Sequence, residues 1–352
     1  MRHKRIRMLD VAQEAGVSST TVSYVLNGQD ATIPQQTRER VLAVAEKMGY
    51  RANRMAQQLA RQDSGIVGLL VPNIEAPFFA ALTTQLNSLT SSIGYRLMFE
   101  IVDAGPIEDD DAVLHAREQT AVLRGIDQLL EWNTAGLLFW LHRQIDREKL
   151  RSSIRGVPTV GIGVDTSFGR EEHAICDYVY VNQYWGTRPA VEHLIALGHH
   201  RFCFVAPLKS LIDARQQAVH DALADAGLPP PQIVESELQQ TPDRIKEIAQ
   251  ARDRPTAYLC VDDHQALATY SGLRGMGLRI PEDVSLVSCD GGLIANSLVP
   301  RLSSVILPIN EIAQSAVGLL RDRLDSDPSA PARCLEVKPH FEARQSTAPP
   351  GV

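Results

Sequence analysis

From residue 65 onward, apolar positions gather into short runs at 65–71, 96–102, 135–141, 158–164, 201–205, 256–261, 283–289 and 303–307. Runs of that length bounded by turn residues predict strands, and the amphipathic stretches at 78–93, 184–197, 214–226 and 266–276 predict helices between them. Strands that are apolar throughout, rather than on alternate residues, belong in parallel sheets covered on both faces by helices. Two successive sets therefore predict two doubly wound lobes, a fold in which ligands sit at the carboxyl ends of the strands.

Ahead of residue 65 the period changes. Leu9, Val11, Ala12 and Ala15 stand at helical spacing, Gly16 supplies a turn, and Ser18 can cap a second helix over 19–26. Val22, Val25 and Leu26 would face the first helix, and a third helix over 35–48 would bring Val41, Ala45 and Met48 to close a small three-helix core.

Charge sharpens this division. Residues 1–62 carry ten Lys or Arg against five Asp or Glu, whereas the other 290 carry 25 against 37. A basic head on an acidic body suits a head that meets a polyanion, because each neutralised phosphate releases counterions while the body is repelled.

Other classes fit poorly. Five cysteines (Cys176, Cys203, Cys260, Cys289, Cys334) show neither a paired framework nor ligand spacing, so neither a disulfide scaffold nor a metal site is expected. The basic N-terminus lacks the apolar stretch of a secretion signal, and no run approaches the ~20 apolar residues of a membrane span. A reduced cytoplasm is the expected location, with no membrane partner. Gly161-Ile162-Gly163 begins a dinucleotide-like loop, but Thr166 stands where the third glycine belongs. His199-His200 has no metal-spaced partner and reads as a loop after a helix. No motif places a nucleophile beside a base, so no enzyme and no cofactor are expected.

Asp10-Val11-Ala12, Ala15-Gly16-Val17-Ser18, Thr21-Val22-Ser23, Val25-Leu26-Asn27-Gly28, Thr37-Arg38-Glu39-Arg40-Val41, Gly49-Tyr50, Asn53-Arg54 and Ala56-Gln57-Gln58-Leu59-Ala60 together resemble the lactose-repressor (LacI/GalR) family. Val71-Pro72-Asn73 with Pro77-Phe78-Phe79, Ala190 to Leu194 with Leu197-Gly198-His199, and Gly277 to Ser285 extend the resemblance along the body. It implies a helix-turn-helix DNA-binding head over 1–62 with a hinge helix at 53–62. It also implies a periplasmic-binding-protein-like effector and dimerisation domain over 63–345, and a tail at 346–352. The first lobe is expected at about 63–163 and 292–324, the second at about 164–291 and 325–345.

By the same resemblance, the second helix lies in the major groove. Ser19, Thr20 and Tyr24 would then read base edges, while Ser18, Thr21, Ser23, Asn27, Thr37 and Tyr50 hold the backbone or shape the turn. Tyr24 departs from the Arg frequent at its position and so lacks a bidentate donor to guanine. Arg7 and Pro34 replace the usual hydroxyl caps of the first and third helices, which should cost helix stability. The hinge residues Asn53, Arg54, Ala56, Gln57 and Leu59 would enter the minor groove, with Leu59 wedged between base pairs. Such a short helix needs a template, given the cost of nucleation.

In the body, the implied effector residues are Phe78, Phe79, Trp140, Asp165, Arg215, Asp262 and Asp290. Aromatic faces with acids and an arginine around them suit a carbohydrate. Departures such as Asp262 for a common Asn, and Gly291 for a common acid, leave a nucleobase or a protein corepressor as alternatives. The implied partners are operator DNA, a small-molecule effector and a second copy of the chain, because no leucine heptad for tetramers follows Gln345. A solute-binding protein, the nearest rival for the body alone, would carry a secretion signal where this chain carries its head.

Overall fold

A computed structural model describes residues 6–26, 33–50, 64–72, 74–102, 111–141, 145–163, 175–208, 214–325 and 330–351. The chain divides into two compact units, Met1–Ser64 and Gly65–Val352.

In the first unit, α1 (Met8–Ala15), α2 (Ser19–Leu26) and α3 (Gln35–Lys47) bury Val11, Ala12, Ala15, Val22, Val25, Val41 and Ala45 against one another. Leu9 departs from expectation: it is 66% exposed, one position off the buried stripe. Gly16 sits at φ 64°, the left-handed conformation that ends α1 and reverses the chain. The lost hydroxyl cap at Arg7 is made good from inside the helix, where the Asp10 carboxylate accepts the Arg7 backbone N–H at 2.7 Å. At Pro34 no side chain caps α3, as expected.

The second unit holds two six-stranded sheets. The first contains β1 (Ile66–Val71), β2 (Arg96–Ile101), β3 (Gly136–Leu141), β4 (Thr159–Gly163), β5 (Asp177–Val181) and β11 (Cys334–Val337), ordered β11-β5-β4-β3-β1-β2 and parallel throughout. The second contains β6 (Phe202–Pro207), β7 (Gln232–Ser236), β8 (Ala257–Cys260), β9 (Ser285–Asp290), β10 (Ser303–Ile306) and β12 (His340–Glu342), ordered β12-β10-β9-β8-β6-β7, with only β12 antiparallel.

Helices cover both faces of each sheet. In the first lobe, α4 (Pro77–Ser92) and α12 (Ile309–Asp325) pack on the face formed by Leu69, Leu138, Ile162 and Val179, while α5 (Asp111–Glu131) and α6 (Arg147–Ile154) cover Leu70, Leu137 and Tyr178. In the second, α7 (Tyr184–Ala196) and α8 (Ala214–Asp225) cover Phe204, Leu259 and Val287. On its other face α9 (Thr241–Ala249) and α10 (Asp263–Gly275) cover Val205, Tyr258 and Leu286. Gly161, the residue that suggested a nucleotide loop, lies within β4 instead; a side chain there would press on the rings of Tyr178 and Phe139.

The lobe limits expected from the sequence need correction. β5 and β11 belong to the first sheet, although 164–291 and 325–345 were assigned to the second lobe, and β10 belongs to the second sheet, although 292–324 was assigned to the first. Three crossovers carry the chain between lobes: after β5, after β10 and after β11. The presumed tail is also part of the body. Ser346 is buried, its hydroxyl accepting the Ser303 N–H at 2.8 Å and its carbonyl accepting the Leu286 N–H at 2.9 Å.

Candidate DNA-reading helix and effector site

In the head, packing splits α2 into two faces. Val22 and Val25 are sequestered, which turns Ser19, Thr20 and Tyr24 outward, Tyr24 with 45% of its surface exposed. Ser18 caps the helix: its Oγ accepts the Thr21 N–H at 3.1 Å and shares a 2.9 Å hydrogen bond with the Thr21 hydroxyl. Ser23 and Thr37 are half-buried, and so is Tyr50, whose phenol burial pushes upward in pKa. The remaining expected DNA contacts, Asn27, Asn53, Arg54, Ala56, Gln57 and Leu59, lie outside the described residues.

In the body, both sheets reverse strand order two strands in from one edge, between β1 and β3 and between β6 and β8. At such a switch point the loops leaving neighbouring strands diverge and open a crevice at the carboxyl edge. The expected effector residues fall there: Phe78 and Phe79 follow β1, Trp140 is the penultimate residue of β3, Arg215 follows β6, Asp262 follows β8 and Asp290 ends β9. Asp165 lies outside the described residues.

The two edges differ in chemistry. Phe78, Phe79 and Trp140 form an edge-to-face triangle with centroids 5.1–5.3 Å apart, all three buried against the first-lobe core. Edge-to-face pairs of this kind are each worth about 0.5–1.5 kcal/mol beyond burial. On the second lobe, an Arg215 Nη donates to the Val261 carbonyl at 2.6 Å, and Asp262 caps α10, its Oδ1 accepting the Gln265 N–H at 2.7 Å. Asp290 stands in the left-handed region at φ 87°, and its carboxylate accepts the Asp263 backbone N–H. Burial, then the neighbouring Asp262 and Asp263 charges, push the Asp290 carboxyl well above its usual range, with Arg215 opposing.

Among the described residues, no group of three or more His, Cys, Asp or Glu could hold a metal ion, and no helix is long and apolar enough to cross a membrane. The cysteine thiols of Cys176 and Cys203 are pushed up to about 12 by burial, which makes them core hydrophobes rather than nucleophiles.

Residues 7–53 match the family described as bacterial regulatory proteins, lacI family, and residues 191–347 match the periplasmic binding protein-like domain. The chain carries a lacI-family head and a periplasmic binding protein-like body. Across its length it is similar to the HTH-type transcriptional regulator MalR of Streptomyces coelicolor, with 29% identity over 97% of this chain and 96% of that protein. A crystal structure of the Lac repressor bound to ONPG in its repressed state superposes with a TM-score of 0.82 at 24% identity, covering 98% of this chain and 100% of that one, which shows a shared fold. A complex of the transcriptional regulator CelR with cellobiose is 25% identical, with a TM-score of 0.65 and coverage of 97% and 100%. With that head, the chain is a DNA-binding transcriptional regulator and not an enzyme.

Two groups escaped the sequence reading. Asp263, 1% exposed, accepts the Gly292 N–H at 2.7 Å and ties the start of α10 to the loop after Asp290. His199 is fully buried: Nδ1 meets the Thr256 hydroxyl at 2.9 Å, while Nε2 meets the Ser285 hydroxyl at 2.9 Å and the Ala348 carbonyl at 3.0 Å. Burial lowers its pKa, so it is a structural rivet between strand ends and the C-terminal segment. The acid following Asp262 and the His after a Leu-Gly pair were both visible in the sequence. Their burial was not.

Proposed function

We propose that the chain is a repressor that binds a near-palindromic operator as a homodimer and responds to a small molecule held between the carboxyl edges of its two lobes. The observation that carries the DNA half is the division of α2, with Val22 and Val25 inward and Ser19, Thr20 and Tyr24 outward on a capped helix. Ser19, Thr20 and Tyr24 read bases; Ser18, Thr21, Ser23, Asn27, Thr37 and Tyr50 hold phosphates or the turn. Asn53, Arg54, Ala56, Gln57 and Leu59 occupy the minor groove, where Leu59 kinks the duplex.

The effector is a sugar or sugar derivative. Arg215, Asp262, Asp290 and Asp165 bind hydroxyls, and Phe78, Phe79 and Trp140 back the apolar face. Support comes from the polar second-lobe edge set against the aromatic first-lobe edge, and from cellobiose in the CelR complex. Dimerisation is supported by apolar side chains left in solvent. Phe99 and Ile101 face out of edge strand β2. In the second lobe, Leu293 of α11 (Leu293–Ser297) and Val299 just beyond it are 76% and 83% exposed, beside α10, whose Tyr270 hydroxyl bonds the Val299 carbonyl. Effector binding would change the spacing of the paired hinge segments, and coupling of about 1–3 kcal/mol gives roughly 5–150-fold control.

Selection of bound duplexes from a random pool, followed by anisotropy titration at moderate salt, tests the DNA half. A preferred, near-palindromic sequence is expected, with Leu59→Ala binding it more weakly while the head stays folded. Absence of any preference over random competitor removes the proposal. Thermal shift against a sugar panel tests the ligand half, where Arg215→Ala should lose the response and keep operator affinity.

A further inference from the structure

We propose that Glu336, Trp185, Asn182 and Lys338 form a clasp across the crossovers that sets the angle between the two lobes. The crossovers are the only covalent links between lobes among the described residues, so any closure or rotation is absorbed near 182–184, 307–308 and 338–339. Glu336 lies on β11, the edge strand of the first sheet, and Trp185 lies in the first turn of α7, which packs on the second. Glu336 Oε1 accepts two hydrogen bonds: one across that boundary, from Trp185 Nε1–H at 3.1 Å, and one from Asn182 Nδ2–H, at the start of the first crossover, at 3.0 Å. The Asn182 backbone N–H also reaches the Val337 carbonyl at 3.3 Å, and the Asn182 side-chain oxygen accepts the Tyr184 N–H at 3.2 Å, shaping the entry to α7. Lys338, on the third crossover, lies over the Trp185 ring at 5.0 Å from its centroid and 3.9 Å from Glu336 Oε2.

The second crossover is gathered in by packing. Gly186, one residue past Trp185, leaves no room for a Cβ between Val305 and Pro339, so α7 lies against the chain entering the second and third crossovers together. An ordinary surface helix would place a small polar residue at 185. A tryptophan 48% exposed, with its ring N–H committed to a carboxylate of the other lobe, is an expensive arrangement unless it restrains something. Such restraint acts on an equilibrium between lobe arrangements, and where two arrangements differ by only about a few kcal/mol a small bias changes their populations. None of the four clasp residues is among the proposed effector residues, and the inference holds whichever effector the protein takes.

Hydrogen–deuterium exchange on the full-length protein without ligand tests it, using Glu336→Ala, Glu336→Gln and Trp185→Phe. Glu336→Ala should speed exchange in 182–186 and in 306–309, a segment Glu336 does not touch, by about threefold or more, while amides in β3 and β8 keep wild-type protection. Glu336→Gln, which retains the acceptor oxygen, should restore rates to within about twofold of wild type, and Trp185→Phe should resemble Glu336→Ala. Unchanged rates at 306–309 in both Glu336→Ala and Trp185→Phe would overturn the clasp. So would equal acceleration in β3 and β8, which marks general loosening, or Glu336→Gln behaving as Glu336→Ala. If Glu336→Ala fails to fold, Trp185→Phe, which keeps an aromatic ring but loses the pyrrole and its N–H donor, decides the matter by the same criteria.

Discussion

The two lobes share one architecture and treat buried carboxylates in opposite ways. In the first, Asp177 at the start of β5 is fully buried yet fully answered: Arg323 Nη2 and Nε donate to it at 2.6 and 3.0 Å, Arg333 Nη2 at 2.7 Å, and the Arg333 backbone N–H at 2.7 Å. Burial by itself would raise this carboxyl, but the two guanidinium groups overcome it and hold it below its usual value. In the second lobe burial prevails: Asp263 is raised by burial and the nearby Asp262 charge despite hydrogen bonds from Ser288 and from the Gly292 and Ala295 backbone, and Asp290 is raised by burial and by Asp262 and Asp263 despite Arg215 and the Asp263 N–H. A buried acid answered by two guanidinium groups serves folding, whereas acids kept raised at a strand edge fit the proposal that stability there is given up for binding.

The comparison breaks most visibly if Asp177 is neutralised. Asp177→Asn should destabilise the body by about 3 kcal/mol or more, because two guanidinium groups lose their acceptor, one of them nearly buried. Denaturant melts followed by tryptophan fluorescence would show it, and a loss below about 1 kcal/mol would mean the pair contributes little. The pH dependence follows from a folded pKa below the unfolded one. The stabilisation is complete at neutral pH, above the unfolded value of roughly 3.9, and fades as pH falls through the depressed folded value, so Asp177→Asn should flatten the acid limb of the stability profile.

The same substitution in the other lobe should have the opposite sign. Asp290→Asn removes a repelled carboxylate and keeps a residue that tolerates φ 87°, so the body should gain on the order of 1 kcal/mol at neutral pH while ligand response is lost. Here the folded pKa lies above the unfolded one. Stability from this group is fully present below the unfolded value and is lost as pH rises through the raised folded value, so the gain of Asp290→Asn should shrink towards pH 4. A destabilised Asp290→Asn at pH 7 would show that Asp290 is as structural as Asp177.

How much of this contrast could be read in advance depends on range. The eight strands with apolar runs were legible because each is a local pattern, and so was the helix-turn-helix, whose Gly16 and Ser18 act within a few residues. β5, with Asp177-Tyr178-Val179-Tyr180-Val181, was missed since its apolar run is opened by an acid that only Arg323 and Arg333, 146 and 156 residues away, make tolerable in the core. Periodicity also says that a strand is buried without saying in which sheet, and the lobe limits failed at β5, β10 and β11, the last strand before each crossover. His199 looked like a loop residue because its partners, Thr256, Ser285 and Ala348, come from distant segments. The effector residues were placed by resemblance; what the sequence could not show was that three of them stack into a closed aromatic triangle.

That triangle gives a milder test of the division between a structural first lobe and a binding second lobe. Trp140→Leu removes two edge-to-face contacts and should cost about 2–3 kcal/mol, by cavity formation, in the melt of the body. If the rings also back the effector, ligand affinity should fall as well. Affinity unchanged in a folded Trp140→Leu would assign the triangle to the core alone and leave recognition to Arg215 and the acids.

The smallest effect on stability belongs to the head, where the residues proposed to act are those that packing leaves out. Tyr24→Ala removes an exposed ring from a helix whose buried contacts are Val22 and Val25, and alanine favours helix, so the melt should change by less than about 0.5 kcal/mol. Its effect belongs to discrimination. A phenol offers one hydroxyl and an apolar edge, in place of the two parallel donors with which an arginine grips guanine, so the loss should amount to about 1 kcal/mol at a single base pair in each half-site. Binding curves for the selected operator and its single-position variants would show a relaxed preference confined to that position. A uniform weakening across all variants would instead place Tyr24 on the phosphate backbone, and would leave Ser19 and Thr20 as the base readers of α2.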